Sequence, residues 1–240
     1  MIDIETFVRK RLALYRAYEI RDNRERPGRG REGKLSYGPY LLISREKGAG
    51  GSAVGQLAGK RLGWQVFDNE IVDAIAQKAN VRRELIECLD ERDRSMIQDT
   101  VKRWLNPKSI GKSGYLAHLR EILLTVGHQG DAVIVGRGAQ YALPSQFGLR
   151  VRMVAPVEVR VRRIAKRENM SLDRARNAIN KSDRERTRLA FKEYRKIVTD
   201  PLNYDVTINS AELTVEDATE IVLNALQRKL AVKLKKNSSA

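Results

Sequence analysis

The sequence has little of what stabilises a secreted protein or inserts a protein into a membrane. Its 240 residues contain one cysteine, Cys88, so no disulfide can form within the chain. The longest apolar runs have four to six residues, whereas a membrane-spanning helix needs roughly 20. The first residues show no apolar leader. We therefore expect a cytoplasmic protein with no membrane partner.

Side chains that carry nucleophilic or metal chemistry are also scarce. The two histidines, His118 and His128, lack the partner pattern of a Ser-His-Asp set or of a metal-ligand cluster. We interpret both as structural or surface residues. Aromatic residues make up 6% of the chain and are not interleaved with its basic segments. This pattern argues against stacking platforms for single-stranded nucleic acid.

Positive charge is abundant and unevenly distributed. The net charge is +16, and residues 160–196 hold 14 Lys/Arg against 5 Asp/Glu. Residues 197–227, in contrast, hold 6 acidic and no basic residues. Such segregation indicates a polyanionic ligand, either nucleotide phosphates or nucleic acid. A solvated basic surface is the alternative interpretation.

Strand and helix patterns alternate from residue 39 onward. Apolar runs predict strands at 40–44, 64–67, 132–135, 149–154 and 206–208. Helical periodicity predicts helices at 52–62, 71–76, 82–105, 116–126, 157–168, 172–195 and 214–230. This alternation is typical of an α/β fold, a parallel sheet flanked by helices.

The ends of the chain are predicted to be appendages to this fold. Residues 1–20 have one apolar helical face, and residues 21–38 are glycine-rich and charged, as a linker is. The predicted organisation is an N-terminal helix and basic linker (1–38), a core domain (39–230) and a basic tail (231–240). The N-terminal helix could form an oligomer or act as a tether.

A glycine-rich loop follows the first predicted strand and precedes a helix. Strand, glycine loop and helix is the layout in which backbone N–H groups bind phosphate. Compared with G-x-x-x-x-G-K-[ST], Gly51 takes the lysine position, and Ser52 or Ala53 that of the Mg²⁺-ligating hydroxyl. Arg45 or Lys47 could supply the missing charge. An ordinary glycine turn is the alternative.

Two further loops are expected at the same edge of the sheet, because ligands bind outside the carboxyl ends of parallel strands. Asp68 follows the second strand and could accept hydrogen bonds from a sugar or base, or cap the next helix. Arg137 lies between Gly136 and Gly138 after the third strand, which suits bidentate phosphate binding. The three loops together predict a phosphate-binding site.

Arginines concentrate in the two helices predicted after residue 156. Arg160, Arg163 and Arg167 share one helical face, whereas Arg184, Arg186 and Arg188 stand at alternate positions and spread over more than one face. A helical hairpin of this kind could close over a phosphoryl group and stabilise its charge. We therefore predict an arginine-rich lid at about residues 160–196.

In order and spacing, these pieces resemble the cytidylate kinase-like family of P-loop nucleoside monophosphate kinases. The resemblance covers about residues 39–227. Its marks, in chain order, are Ile43-Ser44-Arg45-Glu46, Gly48–Gly51, Phe67-Asp68, Val135-Gly136-Arg137-Gly138, Arg160-Val161-Arg162-Arg163-Ile164, Asp183-Arg184 and Tyr204-Asp205.

The resemblance implies transfer of the γ-phosphoryl group from ATP, with Mg²⁺, to CMP, dCMP or a related monophosphate. It implies three sets of site residues: for the cofactor Arg45, Lys47, Gly48, Ala49, Gly50, Gly51, Ser52 and Ala53; for the acceptor Asp68, Arg137 and Arg160; for catalysis Arg184, Arg188 and Arg163. Because Gly51 replaces lysine, a nucleotide-binding module with weak or no turnover is the alternative. A nucleic-acid-binding protein that uses residues 160–196 and the tail is the third.

Overall fold

The computed structural model describes residues 3–10, 13, 37–87, 89, 91–104 and 113–237. Most of the second half of the helix predicted at 1–20, the linker predicted at 21–38 up to residue 36, the cysteine at 88, residues 105–112 and the last three residues lie outside the described residues. The chain divides into two compact units. One, the sheet unit, comprises Pro39–Asp68 and Asp131–Ala240, and the other, the helical unit, comprises Met1–Gly38 and Asn69–Gly130.

The elements alternate along the chain as an α/β fold requires. The strands are β1 (Tyr40–Arg45), β2 (Gln65–Phe67), β3 (Ala132–Val135), β4 (Gly148–Val154) and β5 (Val206–Asn209). The helices are α1 (residues 4–10), α2 (Gly51–Leu62), α3 (Asn69–Gln77), α4 (Ala79–Glu87), α5 (Glu91–Trp104), α6 (Ser113–Gln129), α7 (Ala139–Ala142), α8 (Val157–Glu168), α9 (Leu172–Tyr194) and α10 (Val215–Asn237). Short 3₁₀ helices lie at Ser145–Phe147 and Pro201–Asn203.

The five strands form one parallel sheet in the order β2-β3-β1-β4-β5. The central strand β1 is buried along its whole length, because strands flank it on both sides and helices cover its faces. Leu41 and Ile43 join Val133 and Val151 in the core, and α2 and α10 pack against it through Val54 and Val222. The carboxyl ends of β1, β2 and β3 therefore meet at one edge of the sheet.

The helical unit has its own apolar core. Helices α3, α4 and α5 each pack against α6, and Ile75, Leu85, Ile97 and Ile122 are buried there. Both histidines make contacts within this unit. The His128 Nε2 lies 2.9 Å from the Asp93 carboxylate, and the His118 ring nitrogen Nδ1 lies 3.1 Å from the Arg82 guanidinium.

Most predicted elements agree with the structure to within a few residues, and two predictions were wrong. The single helix predicted at 82–105 is two helices, α4 and α5, separated near Leu89. The last helix was predicted to end near 230, but α10 continues to Asn237. A hydrophobic period alone does not show a short break between two amphipathic helices. None of the described helices is both long and apolar enough to cross a bilayer.

Candidate active site

The glycine loop joins the end of β1 to the start of α2. Gly48 and Gly50 have φ of 87° and 80°, a conformation that side chains with a Cβ rarely adopt. The first helical bond runs from the Val54 N–H to the Gly50 carbonyl at 3.0 Å, and no described side chain caps the helix. The N–H groups of the first turn of α2 therefore have no partner within the helix and can bind an anion.

Side chains from the second half of the sheet unit hold this loop in place. The Lys47 N–H donates to the Asp183 carboxylate at 3.1 Å, and the Arg160 guanidinium donates to the Lys47 carbonyl at 3.3 Å. The Ser210 hydroxyl donates to the Ala49 carbonyl at 2.9 Å. These bonds fix the loop backbone without using the first-turn N–H groups of α2. The conformation of the glycine loop is thus held by these bonds without a ligand.

The two basic side chains at the glycine loop, Arg45 at the end of β1 and Lys47 within the loop, make different contacts. The Lys47 ammonium pairs with the Glu168 carboxylate at 3.3 Å. Arg45 is buried, with 8% of its surface exposed, and its guanidinium lies against the backbone of Gly136. The charge of Arg45 therefore reaches the loop that follows β3.

The loop after β3 places a second guanidinium beside the first. Gly136, Arg137 and Gly138 have φ of 90°, 53° and 70°. A left-handed arginine between two left-handed glycines is strained, and such strain concentrates at functional sites. The Gly136 N–H donates to the Ile43 carbonyl at 2.9 Å, and the Tyr194 hydroxyl donates to the Arg137 carbonyl at 3.4 Å. The loop is therefore fastened to β1 and to the end of α9.

A pocket with about 330 Å³ of empty space, including its mouth, opens between these loops and α9. Its lining includes three arginines, a glutamine and a tyrosine: Arg45, Arg137, Arg186, Gln140 and Tyr141. Burial lowers the pKa of Arg45 to about 9, with repulsion from Arg186 and Arg137 adding to this effect and Asp68 opposing it. Burial likewise lowers the pKa of Arg186. Clustered buried cations favour a bound anion, which relieves their repulsion.

The structure brings some of the predicted site residues together and places others elsewhere. Arg45 and Arg137 share the pocket, and Asp68 acts on Arg45 electrostatically. Arg160 is buried and ion-pairs with Asp183 and Glu46.

Three arginines predicted to be catalytic lie outside the pocket lining. The Arg163 guanidinium donates to Ser210 Oγ at 3.1 Å, to its carbonyl at 2.6 Å and to the Ala211 carbonyl at 3.2 Å. Arg184 and Arg188 are exposed on α9, where Arg184 Nε donates to the Asn180 carbonyl at 3.1 Å. Their predicted roles in catalysis stay predictions.

Two arginines at or near the pocket were not predicted as site residues: Arg186, which the sequence placed only in the general lid, and Arg152, to which it assigned no role. Arg186 lines the pocket, and only the rotation of α9 decides that it, and not Arg184, faces inward. Arg152 is buried in β4, donates to Ser44 Oγ at 2.9 Å and lies 3.6 Å from the Glu46 carboxylate. The sequence feature that could have singled out Arg152 is an arginine within an apolar strand, because a buried charge needs hydrogen-bonding or ionic partners.

The residues present fit a nucleoside triphosphate with Mg²⁺ in part. The loop backbone and the helix N-terminus suit its phosphates, and a Cβ at Gly50 would meet nothing within 4 Å, so that side of the loop is open. Ser52 lies exposed in the first turn of α2. Within the described ranges, no group of three or more His, Cys, Asp or Glu side chains could hold a metal ion. Mg²⁺ would therefore be held mainly by the phosphates and by Ser52.

A parallel sheet of this order, with a glycine loop after its central strand and cationic groups at the carboxyl edge, defines the P-loop kinase fold. The chain belongs to the cytidylate kinase-like family, whose model matches residues 41–212. This match confirms the predicted resemblance and the predicted fold class.

Curated relatives agree with this family. A cytidylate kinase of Aeropyrum pernix is 35% identical over 108 residues, which is 44% of this chain and 62% of that protein. One of Halobacterium salinarum is 26% identical over 188 residues, covering 78% of this chain and 88% of that protein. The chain thus spans less than two thirds of the Aeropyrum relative.

Among solved structures, an uncharacterized protein from Eubacterium ventriosum shares the fold. Its TM-score is 0.53 at 18% sequence identity, and the match covers 77% of this chain and 96% of that one. At this identity the likeness concerns the fold alone.

Proposed function

We propose that the chain is a nucleoside monophosphate kinase that transfers the γ-phosphoryl group of Mg-ATP to CMP, dCMP or a related monophosphate. Membership of the cytidylate kinase-like family supports this reaction class. The observation that supports it is that the N-terminus of α2 lies beside the arginine pocket lined by Arg45, Arg137 and Arg186, so that two places suited to anions are adjacent. Transfer between two phosphates needs two such sites side by side.

Each part of the site has a role in this proposal. The N–H groups of the glycine loop and of the first turn of α2 bind the ATP phosphates, and Ser52 helps to hold Mg²⁺, which neutralises phosphate charge when bound. Arg137 and Arg186 bind the phosphate of the acceptor, and Asp68 accepts a hydrogen bond from its sugar or base. No side chain acts as a nucleophile, because positioning and charge stabilisation suffice for phosphoryl transfer.

Two groups of arginines outside the pocket support the same reaction differently. Arg160 and Arg163 position the glycine loop through Lys47 and Ser210. Arg184 and Arg188, on the exposed side of α9, contact the transferred phosphoryl group when the lid moves. Lid motion is a common step in enzymes that sequester a reacting group from water.

A panel of nucleoside monophosphates with Mg-ATP tests the proposal, with release of ADP coupled to a spectrophotometric signal. We expect ADP release that depends on a cytidine monophosphate and that falls about 100-fold or more in Arg137→Ala. Arg228→Ala, which removes an exposed arginine of α10, is the matched control and should keep wild-type activity. Absence of acceptor-dependent ADP with every monophosphate in a folded sample would refute the proposal.

The glycine at position 51 favours a second candidate, a nucleotide-binding module with weak or no turnover. The lysine of the P-loop pattern is missing, and the Lys47 ammonium pairs with Glu168. This candidate predicts a rise in melting temperature with ATP and a monophosphate but no ADP release. Lack of stabilisation by any nucleotide contradicts it.

A further inference from the structure

Gly51 is a glycine because of space and not because of backbone conformation. It begins α2 and does not have a positive φ, so other residues could adopt its backbone geometry. A Cβ at this position would lie 2.7 Å from the Arg45 Cβ, 3.2 Å from its Cγ and 3.3 Å from the Ile43 Cγ2. The stem of Arg45 therefore occupies the volume that a lysine at position 51 would need first.

Arg45 carries its charge from this point towards the pocket. Its guanidinium lies where a side chain at Gly136 would begin, since a Cβ there would be 1.9 Å from its Nη1 and 2.9 Å from its Cζ. The side chain thus runs from the start of α2 to the loop after β3. Its charged end lines the pocket together with Arg137 and Arg186.

Lys47, which lies within the glycine loop itself, makes different contacts. Its ammonium pairs with Glu168 near the end of α8, and its backbone N–H is bound to Asp183. Its side chain therefore belongs to the contacts that fasten the loop. Of the two basic residues that could replace the P-loop lysine, only Arg45 reaches the pocket.

We propose that Arg45 replaces the lysine that the P-loop pattern assigns to position 51. The stem of Arg45 fills the space beside Gly51, and its guanidinium supplies the positive charge that the lysine would carry. We call this replacement the exchange. The inference rests on the proposed function and adds where this charge acts. Arg45 applies it on the β3 side of the glycine loop, between the ATP phosphates and the phosphate bound by Arg137. A guanidinium can bridge two phosphates there, because its planar fork donates several hydrogen bonds, whereas a lysine ammonium is a point charge.

The exchange is tested with Arg45→Gly, Gly51→Lys, the double variant and Arg228→Ala as the surface control. Glycine replaces Arg45 because alanine would keep the Cβ that lies 2.7 Å from the new side chain. Urea unfolding without ligand measures whether the stem of Arg45 excludes a side chain at position 51. Calorimetric titration with Mg-ATP and with tripolyphosphate measures how much the charge of Arg45 contributes to phosphate binding.

We expect Gly51→Lys to lower the urea midpoint of the wild-type protein and to lower it much less in the Arg45→Gly background. Arg45→Gly should weaken Mg-ATP and tripolyphosphate binding about tenfold or more, the loss expected when a charged donor is removed. The double variant should bind both more tightly than Arg45→Gly alone. Arg228→Ala should resemble the wild type in both measurements.

In the unfolding and binding measurements, the inference is overturned by equal destabilisation by Gly51→Lys in both backgrounds, or by Mg-ATP and tripolyphosphate binding in Arg45→Gly that is as tight as in the wild type. A wild type that binds Mg-ATP with the expected pattern of variants, but releases no ADP with any acceptor, would refute the proposed function and leave the exchange intact. Normal turnover in Arg45→Gly would refute the exchange and leave the proposed function intact. A wild type that binds neither tripolyphosphate nor ATP would refute both.

Discussion

Replacing Gly136 by alanine should separate the stability of the fold from the position of one guanidinium. Gly136 has φ of 90°, and an alanine in the left-handed region costs about 1–2 kcal/mol. The new Cβ would also lie 1.9 Å from Arg45 Nη1 and 3.3 Å from Nη2. Because these atoms end a flexible side chain, Arg45 moves and the backbone stays, so we expect the loss of unfolding free energy to remain near this value.

The functional loss should be larger than the stability loss suggests. In the proposed site, displacing Arg45 takes a charged donor away from the bound phosphates, and such hydrogen bonds contribute about 1.5–3 kcal/mol. This corresponds to roughly a 10- to 150-fold fall in kcat/KM, at 1.36 kcal/mol for each factor of ten. The measurements are urea unfolding and the coupled ADP assay on the same preparations.

Gly63→Ala is the matched control for this experiment. Gly63 caps the end of α2 with φ of 68°, and a Cβ there would meet nothing within 4 Å. Its alanine variant therefore carries a similar backbone strain without touching Arg45. If both variants lose the same stability and the same activity, the position of the Arg45 guanidinium has no functional consequence and our reasoning is wrong.

Three further predictions concern the lid helices, the loop after β5 and pH. Arg186→Ala should raise KM for the acceptor about tenfold, since Arg186 lines the pocket. Arg184→Ala, in contrast, should lower kcat with little change in KM. Equal effects of the two variants on KM would contradict these separate roles. Arg163→Ala should lower the unfolding free energy by about 2 kcal/mol, because it removes charged bonds to Ser210, and an unchanged urea midpoint would contradict this role. Burial, with repulsion from nearby arginines, lowers the pKa of Arg45 to about 9, so the affinity of the protein for tripolyphosphate should fall as pH rises through 9. Binding titrations at pH 7.5 and pH 10 measure this fall. The Arg45→Gly variant should show no such change between the two pH values.

The lowered pKa of Arg45 makes stability without ligand change with pH in the opposite direction to the affinity for tripolyphosphate. Between the folded-state pKa of about 9 and the ordinary value of 12.5, the unfolded chain keeps a proton on Arg45 that the folded chain releases. Stability from this group therefore rises with pH in that window. A bound anion opposes this rise in stability with pH, because it favours the protonated form of Arg45 in the folded chain.

The sequence was sufficient for the fold class and for most elements of the sheet unit. Buried parallel strands are continuous apolar runs, so β1 and β3 were predicted nearly to the residue. The helical unit was harder, because α4 and α5 have similar periods and are separated only briefly. Local periodicity does not carry information on such a break.

The candidate site was only partly predictable, for reasons of distance and of helix rotation. Gly51 was recognised as a departure from the P-loop pattern, but what fills its space is a side chain whose far end reaches Gly136. That contact depends on the packing of β1 beside β3, which no local motif records. The choice among Arg184, Arg186 and Arg188 required the rotation of α9 about its axis.

One helix fastens both loops of the site. The Asp183 carboxylate holds the Lys47 N–H of the glycine loop, and Tyr194 holds the Arg137 carbonyl of the loop after β3. The two side chains are about 16 Å apart along α9, at 1.5 Å per residue. A swing of this helix away from the sheet would release both loops in one motion. If the chain carries out the proposed phosphoryl transfer, departure of one product would loosen the hold on the other, and the two nucleotides would leave in a linked kinetic sequence.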